Sequence, residues 1–384
     1  MLPLDGVRVI EFCNVAAGPF CGMLLADLGA DVIKVEHPDG GDTMRAWPPI
    51  TEGYSENFAS LNRNKRSVTL DLKQPEARQQ ARGLVLDADV LIENNRPGVM
   101  SRLGLGYEAL QRDKPSLVYC SISAFGQEGP RSGEGGFDLT IQAMSGIMSV
   151  TGEPDGAPVK CGVPVSDFCA GLYAAYAIAA VLMRVRNGGA GEHIDVSMLG
   201  ASLAIAALQT SEYFGTARDP KKLGSAHPRN APYQAFKAKD GYFAMAAGND
   251  GLWRATCEAL GRGDLAGDPR FATTALRAQH QAVLKETLED EFGACTVRQM
   301  LDRLRAAGVP CAPINTYSSA LADEQVQHMQ WVQQITLPNG ARTRTFGSPL
   351  RFSGKGFSVR LDPPGLGQHN DDILTPSRGA AIAR

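Results

Sequence analysis

Gly6-Val7-Arg8-Val9-Ile10-Glu11-Phe12-Cys13-Asn14-Val15-Ala16-Ala17-Gly18-Pro19 is the stretch on which the fold turns. Val7–Phe12 is a short, mostly apolar run with strand character. Pro19–Leu28 has helical spacing and stops at Gly29, a residue suited to end a helix. Between them, Cys13–Gly18 is a strand-to-helix turn, with Pro19 placed at the first turn of the helix. The pattern then repeats: Asp31–Glu36, Ser67–Leu72, Asp89–Glu93 and Leu117–Ile122 are further strands, and Glu76–Leu86 reads as a helix. Continuous apolar strands alternating with helices predict an α/β fold, a doubly wound, mainly parallel sheet covered on both faces.

Beyond the sheet, residues 167–186 and 195–213 read as two long helices joined by a turn at Asn187–Gly191. The character changes at Gly224–Pro232, a loop of turn formers. Tyr233–Ala246 is a hairpin turning at Lys239–Gly241. Residues 250–308 are dominantly helical, with Trp253, Leu260, Leu284, Met300 and Leu304 on apolar faces. This is a smaller second, α+β domain. The remainder is strand and loop ending in an Arg/Ala tail, and no internal repeat is visible.

Composition closes several function classes. The net charge of -3 and the scattered Arg and Lys argue against a nucleic-acid partner; the short cluster Arg63, Lys65, Arg66 suits a few phosphates rather than a duplex. None of the eight cysteines forms a CxxC pair, and neither a zinc pattern nor HExxH occurs. Reduced thiols, and an opening that runs directly into a strand with no export signal, make a cytoplasmic location the expectation. The most apolar stretch, Phe168–Met183, is shorter than the roughly 20 residues of a membrane span. Bracketed by Asp167 and Arg184, it reads as a buried helix, with no membrane partner.

In a doubly wound sheet, ligands bind beyond the carboxyl ends of the strands, so the segments after each strand matter most. Cys13–Pro19 offers only Gly18 and is not the GxGxxG of a dinucleotide enzyme. Asn62-Arg63-Asn64-Lys65-Arg66-Ser67 is either a phosphate-holding segment or a solvated loop. Glu93-Asn94-Asn95-Arg96-Pro97-Gly98 and Arg102 suit a polyanionic nucleotide, or form a surface turn. In Gly162-Val163-Pro164-Val165-Ser166-Asp167-Phe168, Ser166 or Asp167 is placed to cap the apolar helix. An Asp at a positively polarised helix start is equally placed to act as an ionised carboxylate. The residues alone leave both roles open.

Together these segments resemble the class III CoA-transferases of the CaiB–BaiF type. The likeness runs through Leu4-Asp5-Gly6-Val7-Arg8-Val9, Ala17-Gly18-Pro19, Leu28–Glu36, Gly41-Asp42, Asn62–Ser67, Asp71-Leu72-Lys73, Glu93-Asn94 and Pro97-Gly98. It continues with Leu103-Gly104, Ser123-Ala124-Phe125-Gly126, Gly129-Pro130, Asp167 with Gly171, and Leu366-Gly367-Gln368-His369. Each is weak alone; their number and order make the likeness specific.

The resemblance implies a Rossmann-like large domain built from both chain ends (1–215 and 330–384), a small domain (225–325), linkers at 216–224 and 326–329, and an interlocked, linked-ring homodimer. It implies that Asp167 is the nucleophile and that CoA contacts Val15, Ala16, Ala17, His37, Leu70, Lys73, Asn94, Asn95, Arg96 and Arg102. No cofactor would be permanently bound and no metal held; coenzyme A enters as acyl-CoA substrate, beside a carboxylic acid acceptor. An Asp with its ordinary pKa of about 3.9 would already be ionised at neutral pH, with no general base needed.

Within the family, Gly224-Ser225-Ala226-His227, Pro232–Lys237 and Gly241-Tyr242 look most like the succinyl-CoA-dependent glutarate transferases. The long glycine-rich loop of the formyl-CoA/oxalate type is missing, so a C4–C6 dicarboxylate acceptor is expected, its distal carboxylate read by His227, Arg229 and Tyr233. The alternatives are a formyl-CoA:oxalate-type transferase, an acyl-CoA racemase or epimerase, and a non-catalytic CoA-binding protein. A racemase needs a His/Asp acid–base pair, and only His37 precedes Asp138.

Overall fold

The computed structural model describes residues 1–375; the Arg/Ala tail lies outside the described residues. The chain divides into two compact units. The first comprises Met1–Ile147, Lys160–Ala217 and the described residues from Glu324 onward; the second comprises Met148–Val159 and Arg218–Asp323. The second unit thus takes in Met148–Val159 from within the span 1–215 expected for the large domain.

The first unit is built on a six-stranded parallel sheet: β1 (Arg8–Phe12), β2 (Asp31–Glu36), β3 (Lys65–Thr69), β4 (Val90–Glu93), β5 (Val118–Ser123) and β6 (His193–Ser197). Their spatial order is β3-β2-β1-β4-β5-β6, the arrangement of a Rossmann fold. β1 is central, pairing Val9 with Val32 on one side and with Val90 on the other. Side chains alternate across the sheet, so each strand feeds two cores. Val9, Val32, Val90 and Val118 face the helices Ala17–Asp27 and Val165–Arg186. Ile10, Ile33, Val68, Leu91 and Tyr119 face Pro75–Leu86 and Tyr107–Asp113.

Two expectations need correction. The span 195–213, expected to be one helix, begins as β6, and its helical part runs from Met198 to Ile205 and again from Ala207 to Thr216. His-Ile-Asp-Val-Ser is an edge strand, too polar to resemble its buried neighbours. The apolar helix is also longer and less enclosed than expected. It spans 22 residues, Val165–Arg186, and by length and composition alone it could cross a membrane. Only one face is buried, with Ser166, Cys169, Ala170, Ala174, Ile178 and Leu182, while Tyr176 is 73% and Met183 67% exposed.

The second unit is α+β. Strands β7 (Tyr233–Ala238), β8 (Gly241–Ala246) and β9 (Cys311–Pro313) form an antiparallel sheet in the order β9-β8-β7. Phe236 and Phe243 from the hairpin meet Phe292 edge-on, and Trp253, Leu284 and Met300 complete that core.

Candidate active site

The strand order reverses between β1 and β4, and there the first unit opens into a cleft of about 240 Å³. Asn14–Ala17 after β1, Asn94–Pro97 after β4, Ile122–Ala124 at the end of β5, Gly135–Phe137, Met198 and Asp167 line it. A reciprocal clasp ties the two principal loops. The backbone N–H of Asn14 donates to Asn94 Oδ1 (2.9 Å) and Asn94 Nδ2 donates to the Asn14 carbonyl (2.8 Å). Gly18 permits this: a Cβ there would lie 2.4 Å from Cys13 Sγ and 3.3 Å from the Asn94 side chain.

Asp167 is the third residue of its helix. Pro164 holds the cap position and no side chain caps the helix, so the structure does not use Ser166 or Asp167 as the N-cap. The start of the helix is latched from outside. The Ser166 N–H donates to Asp138 Oδ1 (3.0 Å), and Gln142 Nε2 donates to Asp138 Oδ2 (2.7 Å). Gln142 Oε1 in turn accepts the Cys161 N–H (2.8 Å). One turn beyond Asp167, on the same face, Gly171 lets the helix Ala17–Asp27 approach: a Cβ there would lie 2.7 Å from the Ala17 carbonyl oxygen. The rings of Phe20 and Phe168 meet beside it, 4.5 Å apart.

Burial pushes the Asp167 carboxyl up to about 7, and the nearby Asp138 carboxylate adds to the rise. Both act on the ionised form, one by withholding water and the other by like-charge repulsion. The expectation of an Asp with its ordinary carboxylate pKa is therefore corrected: in the folded chain this carboxyl holds its proton more tightly than a solvated one. Sequence reasoning gave Asp138 no role in the site; its only signal is an Asp opening a helix just after Gly135-Gly136.

Other expected residues sort as follows. Val15, Ala16, Ala17, Asn94, Asn95 and Arg96 line the Asp167 cleft. His37, Leu70 and Lys73 line a second cleft of about 570 Å³, which shares Asn14 and Asn95 with the first. There the His37 ring stands 3.5 Å from Asp71, whose carboxyl is held below its usual range chiefly by the Lys73 N–H. Arg102 is exposed and lines neither cleft. His227, Arg229 and Tyr233 belong to the second unit. The His227 Nδ1 accepts the N–H groups of Arg229 and Asn230 (3.1 and 3.0 Å) and its ring packs on Tyr233. That fixes the neutral ring with its proton on Nε2.

Asn62–Ser67 is neither a phosphate site nor a solvated loop. Arg63 and Asn64 bond the buried Asp27, and Lys65 is paired with Glu11. Cys169 turns inward, its thiol donating to the Ser166 carbonyl (3.4 Å), and burial pushes its pKa up. All eight cysteines are free thiols.

A doubly wound sheet with a buried carboxylate lining the cleft at its switch point defines an α/β protein that takes its ligand beyond the carboxyl ends of the strands. The comparisons name the group: the chain belongs to CoA-transferase family III, whose model matches residues 4–370, and it is a CoA-transferase. It is 41% identical over 379 residues to the succinate–glutarate CoA-transferase of Agrobacterium fabrum, covering 97% of this chain and 95% of that one. It is also 41% identical over 353 residues to the acetyl-CoA:oxalate CoA-transferase of Acetobacter aceti (92% and 90% covered). Among solved structures, a CaiB/BaiF family protein from Brucella suis superposes with a TM-score of 0.86 at 41% identity, over 97% of this chain and 98% of that one.

Proposed function

We propose that this enzyme moves CoA from succinyl-CoA to a C4–C6 dicarboxylate such as glutarate, with Asp167 as the nucleophile. The observation that supports Asp167 is its place in the switch-point cleft, where burial has made the carboxylate more basic than a solvated one. An ionised Asp167 oxygen attacks the thioester carbonyl and expels CoA thiolate, leaving a mixed anhydride. The thiolate then attacks the Asp167 carbonyl carbon, releasing the donor acid and leaving an aspartyl-CoA thioester. The acceptor carboxylate attacks that thioester to form a second anhydride and free thiolate. The thiolate takes the acceptor acyl group and Asp167 returns as carboxylate. Every intermediate keeps an activated acyl group, so exclusion of water is essential.

Val15, Ala16, Ala17, Asn94, Asn95 and Arg96 would hold the pantetheine and reacting end of CoA. His37, Leu70 and Lys73 would take its nucleotide, and Arg102, exposed outside both clefts, is the remaining CoA contact proposed. His227, Arg229 and Tyr233 would read the distal carboxylate of the acceptor. The diacid reading rests on the likeness of the Gly224–Lys237 segment to glutarate-type enzymes. Overall identity does not choose between glutarate and oxalate, because relatives named for each are both 41% identical. An oxalate-type transferase therefore stands as the second reading.

Two copies are proposed to interlock. The apolar side of Val165–Arg186 left exposed in the single chain, with Leu172, Tyr176 and Met183, and the exposed Leu208 and Phe214 further on, supports a covering second copy. Sedimentation should find a dimer that persists on dilution; a rapidly exchanging monomer at micromolar concentration would refute interlocking. The free thiols accord with a cytoplasmic enzyme.

The deciding experiment presents succinyl-CoA with glutarate, C4–C5 hydroxy- or methyl-dicarboxylates, oxalate and butyrate, and reads acyl-CoA products by mass. Glutarate and its neighbours should dominate, and Asp167→Ala should keep less than about a hundredth of the turnover. Equal use of butyrate or oxalate overturns the substrate class; a turnover-competent Asp167→Ala overturns the nucleophile.

A further inference from the structure

Beneath the cleft lies a buried charge cluster that the transfer steps do not use. Glu11, Lys34, Asp42 and Lys65 are all 0% exposed. The Lys34 ammonium contacts Glu11 Oε1 (3.0 Å), Asp42 Oδ2 (3.0 Å) and the Cys13 carbonyl (2.6 Å). Lys65 pairs with Glu11 Oε2 (2.8 Å) and donates to the Pro19 carbonyl (2.8 Å) and Asn62 Oδ1 (3.0 Å). The four charges cancel and each is paired, as burial at this depth requires. The helix Ala17–Asp27 rides directly over them: a Cβ on Gly22 would lie 1.9 Å from Glu11 Oε2.

The outward end of the cluster is the informative one. Asp42 takes the backbone N–H of Val15 on both carboxylate oxygens (3.1 and 3.2 Å) and that of Met44 on Oδ1 (3.0 Å). Val15 has φ +66°, a left-handed conformation that a β-branched residue rarely adopts and that persists only where the surroundings hold it. Immediately after it come Ala16 and Ala17, which wall the cleft with Asp167 and begin the helix that meets Gly171. Two contacts therefore govern this turn from below, Asp42 on the Val15 N–H and Lys34 on the Cys13 carbonyl.

We propose that Asp42, anchored by Lys34, is a positioning residue for CoA transfer. It holds Val15 in its left-handed conformation and so sets where Ala16, Ala17 and the helix start stand relative to Asp167. This rests on the reading of Asp167 as nucleophile. Lys34 keeps the Asp42 carboxylate charged and in place, and Asp42 touches neither substrate nor the reacting atoms. Misplacing a reacting geometry by about 1 Å costs on the order of a hundredfold in rate, whereas CoA binding is spread over many contacts and should change little.

The test uses the full-length enzyme. Asp42→Asn keeps the shape but turns an amide NH2 toward Lys34 or the Val15 N–H. It should lower kcat by about ten- to a hundredfold while KM for acyl-CoA stays within about threefold and far-UV circular dichroism is unchanged. Adding Val15→Gly should recover at least about tenfold of the lost kcat, because glycine takes a positive φ without being held there. Unchanged kcat in Asp42→Asn overturns the proposal. So does a loss that Val15→Gly leaves untouched, since a purely structural role for the cluster is indifferent to residue 15. If Asp42→Asn does not fold, Asp42→Glu keeps the counter-charge for Lys34, displaces the acceptor by one methylene and is read in the same way. Asp167→Ala assayed in parallel separates the two claims, since activity surviving there sinks the nucleophile reading and not the Asp42 geometry.

Discussion

Replacing Asp167 by asparagine should stabilise the protein while destroying its activity, and the stabilisation should depend on pH in a particular direction. Burial moves the Asp167 carboxyl from 3.8 to about 7. A folded-state value raised above the unfolded one means that the native state prefers the protonated acid. That advantage is full below about pH 4 and is lost as pH rises through about 7. Above pH 7 the fold therefore carries an ionised carboxylate that the unfolded chain would solvate freely. At about 1.4 kcal/mol per pH unit, the full displacement is on the order of 4 kcal/mol. Solvent entering the cleft screens part of this, leaving ~2–4 kcal/mol at pH 8. Asn has the same shape and no charge, so Asp167→Asn should exceed wild type in urea denaturation by that amount at pH 8. The gap should narrow by about 1–3 kcal/mol at pH 5. Protein concentration must match between samples, since any oligomer adds its own term. A variant no more stable than wild type at pH 8, or a gap that fails to narrow toward pH 5, would falsify the reading of Asp167 as a desolvated, functionally strained acid.

Three further outcomes are expected. The kcat/KM profile should show an acid limb near pH 7, and Asp138→Asn should move that limb downward because it removes the like charge that helps to raise Asp167; a limb near pH 4 in wild type, or no movement in the variant, contradicts this. Thiol alkylation under native conditions should leave most activity intact, because the cysteines nearest the site, Cys13 and Cys169, are buried with raised pKa values; rapid inactivation from which CoA protects would show that a thiol lines the cleft. Gly171→Val should cut turnover at least tenfold, since its side chain would drive into the Ala17 carbonyl 2.7 Å from the Cβ position, whereas Gly83→Ala, in open space on an outer helix, should be silent.

How far the sequence could be read follows from where each determinant lies. β1, β2, β4 and β5 were legible because each carries adjacent apolar residues, Val9-Ile10, Val32-Ile33, Val90-Leu91-Ile92 and Val118-Tyr119-Cys120. β6 was not, because an edge strand reading His-Ile-Asp-Val-Ser carries no such run. β3 starts at Lys65, two residues before the expected Ser67, for a related reason: nothing local reveals that Glu11, far earlier in the chain, neutralises Lys65. The same blindness left Asn62–Ser67 to be read as a phosphate-holding segment or a solvated loop. A basic cluster that faces solvent and one that is wholly paired inside have the same composition, and only partners distant in sequence distinguish them. The site divides along this line too. Asp167 could be read from its segment as a cap or as a carboxylate at a helix start, a local feature, with the nucleophile role implied only by the family likeness. Its raised pKa could not, because burial is a tertiary property and Asp138 reaches it only through the fold. A sequence motif thus records which residue is present, while the protonation of its side chain is set by the packing around it. The cluster of Glu11, Lys34, Asp42 and Lys65 is the extreme case. Glu11 meets Lys34, Asp42 and Lys65, which come from the family-like segments Leu28–Glu36, Gly41-Asp42 and Asn62–Ser67, under the turn at Val15, and nothing local in any of these segments reveals the others.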